Sequence, residues 1–356
     1  MLIPLTMKIG FIGVFRLNTK GTPGFEKWVI SISNQLVRLG HEVYVFGLTS
    51  IPNRYFYEFD NKLPQKFNFH YFEIESEWGR VNPLHMKKIP ELDLDLIYVS
   101  AGYYSLVKQI LMMSGKKVFG FHIPTIEHPK GLRSKAILKK LLPRFNGIHV
   151  LSKTQLGLLP KEANVIELPN TAFIDKRDSE ISKFEIFTVV YFSRWELTKG
   201  VQTLAHVCTK IPDDIRIIIL GFGSVDLNRL IVKRKNVEIK GIVDENSLYD
   251  IVKQSHVTLF PSFSESSSLT LLETLALGTP VVYRNIPQNS FLTTSHDSLN
   301  LQASSDKEFV SAIMTLKELY DKDKELYYQR CNILKKEVMS VDEYTERFNA
   351  FLCNLP

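Results

Sequence analysis

Cysteine is scarce in this chain of 356 residues. Cys208, Cys331 and Cys353 are too few and too scattered for a disulfide framework or a zinc cluster, and they suit a reducing compartment. No apolar run reaches the roughly 18 residues needed to cross a bilayer. The stretch 1–15 is apolar, but Lys8 and Gly10 interrupt it and no small-residue cleavage site follows, so it does not read as a signal peptide. A soluble, cytoplasmic protein is the expectation. The Gly-x-x-x-x-Gly-Lys-Ser/Thr phosphate loop and the His-Glu-x-x-His zinc pair are both missing. No finger, basic zipper or aromatic RNA-binding signature occurs, so nucleic acid is not an expected partner.

What is present is ordinary globular composition, 44% hydrophobic and 23% charged, in a chain long enough for two α/β domains. The net charge of +6 is unevenly placed. Residues 1–170 carry 22 Lys+Arg against 13 Asp+Glu, a balance of +9, and residues 171–356 carry 22 against 25, a balance of −3. The first half is expected to face something anionic, a phospholipid surface or a phosphorylated substrate.

Strand-like and helix-like segments alternate throughout. Lys8–Phe15 reads as a buried strand, followed by the loop Gly21-Thr22-Pro23-Gly24. Phe25, Trp28, Val29, Ile32, Leu36 and Leu39 recur at helical spacing over 25–39; Gly40 supplies the stop, and Glu42–Gly47 is the next strand. This βαβ start implies a parallel sheet covered by helices. Further strands are read at Leu94–Ser100, Lys117–His122, Gly147–Leu151, Phe187–Phe192 and Arg216–Leu220. The polar stretch 176–185 reads as a linker. The expected fold is two Rossmann-like, doubly wound parallel-sheet domains, residues 1–175 and 186–337, facing a central cleft, with a last helix at 338–356 packing back on the first.

Two stretches carry chemistry. In Phe260-Pro-Ser-Phe-Ser-Glu265-Ser266-Ser267-Ser268, the serines precede an apolar helix running to Gly278, so free N–H groups and the positive dipole end can hold an anion there. Glu265, beside such a site, is suited to accept hydrogen bonds from sugar hydroxyls. Glu273 has two readings, because Thr270-x-x-Glu273 also matches a capping box. In Ser193-Arg194-Trp195-Glu196-Leu197-Thr198-Lys199-Gly200, cations directly after a strand and at a helix start fit a bound diphosphate, though solvated loop cations are the plainer alternative. Gly221-Phe222-Gly223 begins like a dinucleotide fingerprint without its third glycine and reads better as a tight turn.

These residues resemble the retaining glycosyltransferases of family 4, which have the two-domain GT-B fold. Arg194 and Lys199 match the family's Arg-x4-Lys-Gly pattern, Glu265 and Glu273 its Glu-x7-Glu motif, and Ala276–Val282 the segment that follows. Gly24, Leu39–Val43, Gly120-Phe121-His122, Val150–Ser152 and Leu168–Thr171 are similar to first-domain segments. The resemblance departs at Ser266–Ser268, where glycines are usual, and at Pro23-Gly24, where the family has a double glycine.

The resemblance implies a nucleotide-diphosphate-sugar donor, an unidentified acceptor, and no cofactor or metal. It implies that Arg194 and Lys199 bind and stabilise the leaving diphosphate, that Glu265 holds sugar hydroxyls, and that Glu273 holds the ribose. Gly24 would approach the phosphates, with Ser266, Ser267 and Ser268 also at the donor, and His122 would meet sugar or phosphate. A satisfied strand-end histidine is the plainer reading of His122. His41 reads as a turn residue. Asp93-x-Asp95 and Asp321-x-Asp323 are read as solvated pairs and not as metal ligands. A sugar-nucleotide epimerase and a non-catalytic binding protein stay open as alternatives. Residues 130–144, with six cations and no acid, read either as a basic amphipathic helix at an anionic membrane or as a core-packed helix with a charged outer face.

Overall fold

A computed structural model describes residues 6–13, 24–50, 68–77, 80–81, 89–100, 103–122, 137–159, 161–174, 182–265, 267–289, 292 and 299–356. The chain forms two compact units, Met1–Asn170 with Val341–Pro356, and Thr171–Ser340.

In the first unit the buried runs become strands β1 (Lys8–Gly13), β2 (Glu42–Ser50), β3 (His70–Glu77), β4 (Arg80–Val81), β5 (Leu96–Ser100), β6 (Lys116–Gly120), β7 (Gly147–Val150) and β8 (Val165–Glu167). They form one sheet in the order β4-β3-β2-β1-β5-β6-β7-β8, parallel except for the β3–β4 pair. Helix α1 (Gly24–Arg38) lays Trp28, Val29, Ile32 and Leu36 on the sheet, three and four residues apart, and Gly40 at φ 92° follows its end. Helices α2 (Tyr104–Ile110) and α3 (Lys153–Leu156) are short.

The stretch 137–144 is a π turn, Ile137–Leu141, running into a 3-10 turn, Leu142–Arg144; residues 130–136 lie outside the described ones. Ile137, Leu141 and Leu142 are buried with Phe119, Phe121 and Ile148, while Lys139, Lys140 and Arg144 point to solvent. These apolar residues are spent on the core, so they offer no greasy face to a membrane.

The second unit contains β9 (Thr188–Phe192), α4 (Val201–Lys210), β10 (Arg216–Leu220), α5 (Leu227–Leu230), β11 (Val237–Gly241), α6 (Glu245–Gln254), β12 (Val257–Phe260), α7 (Leu269–Ala276), β13 (Val281–Arg284), β14 (Leu301–Ala303), α8 (Asp306–Lys322) and α9 (Lys324–Leu334). Its six strands are all parallel, in the order β11-β10-β9-β12-β13-β14. The order reverses at β9, so the carboxyl ends of β9 and β12 form the switch point where an open α/β sheet binds ligands. In the first unit the reversal lies at β1 and β5.

Lys183, in the charged stretch between the halves, is half-buried and belongs to the second unit. Its ammonium donates to the carbonyls of Lys253 (2.9 Å) and Ser255 (2.7 Å) and reaches Thr279 Oγ1 at 3.2 Å. Lys253 and Ser255 stand at the C-terminus of α6, where the helix dipole welcomes a cation. Helix α10 (Val341–Cys353) returns to the first unit, where Tyr344 and Phe348 are buried and Trp28 Nε1 donates to Tyr344 Oη at 2.8 Å. His41 is more than a turn residue: its Nδ1 accepts from Met7 N, and its Nε2 lies 2.8 Å from Asn349 Oδ1 on α10.

Candidate active site

The loop after β9 carries Arg194 two residues beyond the strand end, and that loop rests on the turn after β10. Trp195 N donates to Phe222 O at 2.7 Å, and Val225 N donates back to Trp195 O at 3.0 Å. A Cβ at Gly221 would fall 2.1 Å from Ser193 O, and one at Gly223 would fall 2.4 Å from Trp195 O. Gly221-Phe222-Gly223 is therefore a strand-to-helix turn whose glycines let two loops touch. Beneath it, Tyr191 Oη lies 3.4 Å from Arg194 O and 3.3 Å from Lys199 O. The Arg194 side chain, 41% exposed, is ion-paired to Glu196 at 2.9 Å.

The loop after β12 closes on the same place. Phe263 N donates to Thr198 O at 2.8 Å, and Gly200, at φ 75°, lies so close to Pro261 O that a Cβ would fall 2.3 Å from it. This contact brings Lys199 and Glu265 together from 66 residues apart. Lys199 Nζ donates to both Glu265 oxygens, at 2.7 and 2.8 Å, with the two side chains only 15% and 9% exposed. The resemblance gives these residues separate roles, the lysine at a phosphate and the glutamate at a sugar; the fold makes them a buried pair.

Helix α7 starts one residue after Ser268, whose Oγ accepts from Leu271 N and caps the helix. Thr270 is already helical, so the capping-box reading of Glu273 is incorrect: Ser268 holds the capping position two residues earlier. Ser266 lies outside the described residues, and Ser267 and Ser268 lead into α7, whose first turn offers further N–H groups. Glu273 is buried at 6% exposure on a helix whose neighbours are all apolar or Thr, with Tyr249 Oη 3.4 Å away. Tyr249 also donates to Glu245 at 2.9 Å, and burial followed by the two carboxylates pushes its phenol well above the usual range.

A second cluster lies in the first unit. Gly24 opens α1, and the rest of its loop, 14–23, lies outside the described residues. The next residue, Phe25, stacks on His122 at 4.9 Å, and Trp28 covers the same imidazole at 4.2 Å. His122 Nε2 lies 2.9 Å from Tyr98 Oη, which lies 2.8 Å from His149 Nδ1; His149 Nε2 in turn meets Leu168 O at 2.8 Å. Burial lowers both histidines, His149 to about 4 and His122 well below its ordinary value, with His149 as a second cause for His122.

That burial makes a prediction. Unfolded histidine titrates near 6.5, so between that pH and about 4 the unfolded chain takes up a proton that native His149 refuses. Stability is full above pH 6.5 and falls as pH drops toward 4, by about 3 kcal/mol at the limit for this residue. His256 in the second unit, lowered to about 3 chiefly by burial, acts in the same direction. Thermal melts between pH 7.5 and 5 are expected to show a falling Tm that His149→Gln partly flattens. A Tm unchanged down to pH 5 contradicts the neutral, buried assignment.

The aspartate pairs have structural work. Asp95 accepts from Lys8 N at 2.7 Å and Asp93 takes a left-handed φ of 49°. Asp321 pairs with Lys317, and Asp323 caps α9 through Leu326 N. Among the described residues no cluster of His, Cys, Asp and Glu is placed to hold a metal ion, and no helix is long and apolar enough to cross a membrane.

Residues 186–318, which contain Arg194, Lys199, Glu265 and Glu273, match the family described as Glycosyl transferases group 1. Over that stretch, more than a third of the chain, the sequence is similar to a glycosyltransferase domain. The glycosyltransferase is 23% identical over 362 residues to an uncharacterized glycosyltransferase of Haemophilus influenzae, with 94% of this chain and 97% of the relative covered. It is 29% identical over 136 residues to the gpi3 subunit of phosphatidylinositol N-acetylglucosaminyltransferase of Schizosaccharomyces pombe, a match covering 35% of this chain and 29% of that relative's length. In fold it is similar to sucrose-phosphate synthase from Thermosynechococcus elongatus (TM-score 0.75, 14% identity, 97% and 98% of the two chains). It is also similar to Anabaena HepE solved with UDP and glucose (TM-score 0.74, 16% identity, 98% and 100%). These likenesses are of fold alone: two parallel-sheet α/β domains, as in GT-B proteins.

Several residues around the glycosyltransferase's candidate site have no motif to announce them. Tyr249 shows only as the i+4 partner of Glu245. Arg284, at the end of β13, is buried with Nε on Pro261 O (2.9 Å), Nη2 on Thr203 Oγ1 (2.7 Å) and its guanidinium 3.9 Å from the Phe263 ring centroid, bracing the loop that leads to Glu265. Its one sequence signal is a cation closing an apolar strand.

Proposed function

We propose that this glycosyltransferase moves a sugar, with retention at the anomeric carbon, from a nucleotide-diphosphate-sugar to an acceptor that its residues do not name. The observation that carries this reading is the convergence of Arg194, the Lys199–Glu265 pair and the start of α7 on the carboxyl ends of β9 and β12. Sugar transfer places growing negative charge on the departing diphosphate, and preorganised donors aimed at that charge supply the largest share of catalysis. Arg194, Lys199 and the first-turn N–H groups of α7 are those donors; Glu196 and Glu265 hold the two cations in place until the diphosphate arrives. Glu265, held by Lys199 through both oxygens, has lone pairs left for sugar hydroxyls. Glu273 holds the ribose hydroxyls. Carried over from the resemblance, Ser266, Ser267 and Ser268 line the donor, Gly24 lets backbone approach the phosphates, and His122 meets sugar or phosphate.

Two cations and a helix N-terminus are enough to neutralise a diphosphate, so no metal is needed for this chemistry. The test is a panel of UDP-, GDP- and ADP-sugars, each with and without EDTA, the UDP-sugars first because HepE is solved with UDP. Transfer or slow donor hydrolysis that survives EDTA is expected, with the product's anomeric configuration, read by NMR, matching the donor's. Isomerised donor would mean an epimerase, binding without turnover a dead site, and rescue by Mn²⁺ a metal after all. Contact with anionic lipid through 137–144 would be electrostatic, carried by Lys139, Lys140 and Arg144. Liposome sedimentation that weakens with salt and with Lys139→Glu/Lys140→Glu supports it, and a protein left in the supernatant at low salt removes it.

A further inference from the structure

Arg284 closes β13, and the pleat of that strand decides where its side chain goes. Side chains alternate across a strand, so Arg284 shares a face with Val282, which packs in the core with Val201 and Leu204 of α4 and Phe309 of α8. At the carboxyl end of the strand that core gives way to the loops of the site, and the guanidinium is buried among them. Nη2 donates to Thr203 Oγ1 at 2.7 Å, and Thr203 Oγ1 spends its own proton on Asp306 Oδ1 at 2.6 Å. The cation thus meets a counter-charge through a hydroxyl. Nη1 reaches Ser304 O at 3.3 Å.

One guanidinium therefore touches both arms that carry the Lys199–Glu265 pair. On the lysine side it holds Thr203, in the first turn of α4 and four residues past Lys199. On the glutamate side Nε donates to Pro261 O at 2.9 Å, and the group lies over the Phe263 ring, two residues before Glu265. Pro261 O is also the atom against which Gly200 rests, so the two arms meet where the clamp grips. A planar fork can bond acceptors on separate segments while its face covers a ring. An ammonium has the charge without the fork, so lysine at 284 keeps the cation and loses the geometry.

We propose that Arg284 is a positioning residue that clamps α4 and the loop after β12 at one spacing, and so sets how Lys199 meets Glu265 and faces the diphosphate. What the clamp does for transfer rests on the glycosyl-transfer reading; the clamp itself does not. A cation aimed at charge that grows on the leaving group acts mainly in the transition state. A free nucleoside diphosphate such as UDP carries that charge already, and the intact donor does not. Loss of the clamp is felt in turnover and in UDP affinity, and little in the donor KM.

The clamp is tested in the full chain by a mutant cycle of Arg284→Lys, the pair variant Lys199→Met/Glu265→Leu, and their combination. Without ligand, Arg284→Lys is expected to lower Tm more when the pair is present than when it is gone, because groups in one network couple. Equal losses in the two backgrounds overturn the proposal. With the donor that the panel identifies, Arg284→Lys is expected to lower kcat about ten-fold and to weaken UDP binding, read by calorimetry, by a similar factor. The donor KM is expected to stay within about three-fold, since the intact donor lacks the charge that the clamp serves. A KM that rises as far as kcat falls shows general loosening and overturns the positioning role. Thr203→Val keeps the side-chain shape and cuts the α4 arm alone, so it carries the same cycle if Arg284→Lys does not fold. It is expected to couple to the pair in the same direction, and additive Tm losses there also overturn the proposal. A coupled Tm cycle in a protein that binds no UDP and transfers from no donor sinks the glycosyl-transfer reading and supports the clamp.

Discussion

Arg194→Ala is expected to lower turnover by about 10²–10³ at saturating donor, the cost of removing one preorganised donor from developing charge. The fold is expected to stand. The Arg194 side chain is 41% exposed and its pair with Glu196 is solvent-screened, so the stability change is about 1 kcal/mol or less. The measurement is steady-state kinetics beside a thermal melt: kcat falls while Tm moves by a few degrees at most. Near-wild-type kcat at saturating donor shows that the leaving diphosphate is stabilised elsewhere. Arg194→Lys separates charge from geometry, since a lysine keeps the cation and loses the planar fork.

Lys199→Ala has a different signature, because its partner is buried. Removing the ammonium leaves Glu265, 9% exposed, without the cation that meets both its oxygens. Breaking a buried pair from one side costs about 3–5 kcal/mol. In a unit of this size that lowers Tm by about 10 °C. The double change Lys199→Met/Glu265→Leu removes both charges together and is expected to recover most of the melting temperature while leaving the enzyme inactive. Recovered Tm with recovered turnover shows that the pair serves stability alone. Persistent instability in the double variant shows that packing around 199 and 265, and not charge, sets the loss.

The central strands were legible because they are buried on both faces and read as unbroken apolar runs: Arg216–Leu220 matches its expected limits, and β1, β5, β6, β7 and β9 agree to within two residues over the described positions. The outer strands were not. β3 carries exposed His70 and Phe72 and alternating glutamates, and β8 is only half buried, so neither shows the apolar run that marks a strand. At the site, sequence spacing places Arg194, Lys199, Glu265 and Glu273 near strand ends and helix starts. It cannot show that Lys199 and Glu265 meet each other, because that contact depends on Gly200 lying against Pro261 and on Phe263 bonding to Thr198. Helix capping misled at Thr270 because a serine two residues earlier fills the same need. Tyr98 and His149 were invisible for a simpler reason: a polar tip on a buried strand has no periodicity, and only strand register reveals that Gly120 clears the space between them.

The return of α10 to the first unit sets an order of events during synthesis. Trp28 and Phe348 meet edge to face at 5.7 Å, and Lys116 Nζ donates to Leu355 O at 2.7 Å, across more than two hundred residues of chain. All of Thr171–Ser340 is translated between the first unit's sheet and the helix that covers it, roughly ten to thirty seconds at ordinary elongation rates. For that interval the second unit can fold completely while the first keeps the surface around Trp28 and Tyr98 open to water. The nascent first unit is then a natural client for chaperones. A stop codon just before Val341 would harm the half of the protein made first and spare the half made last.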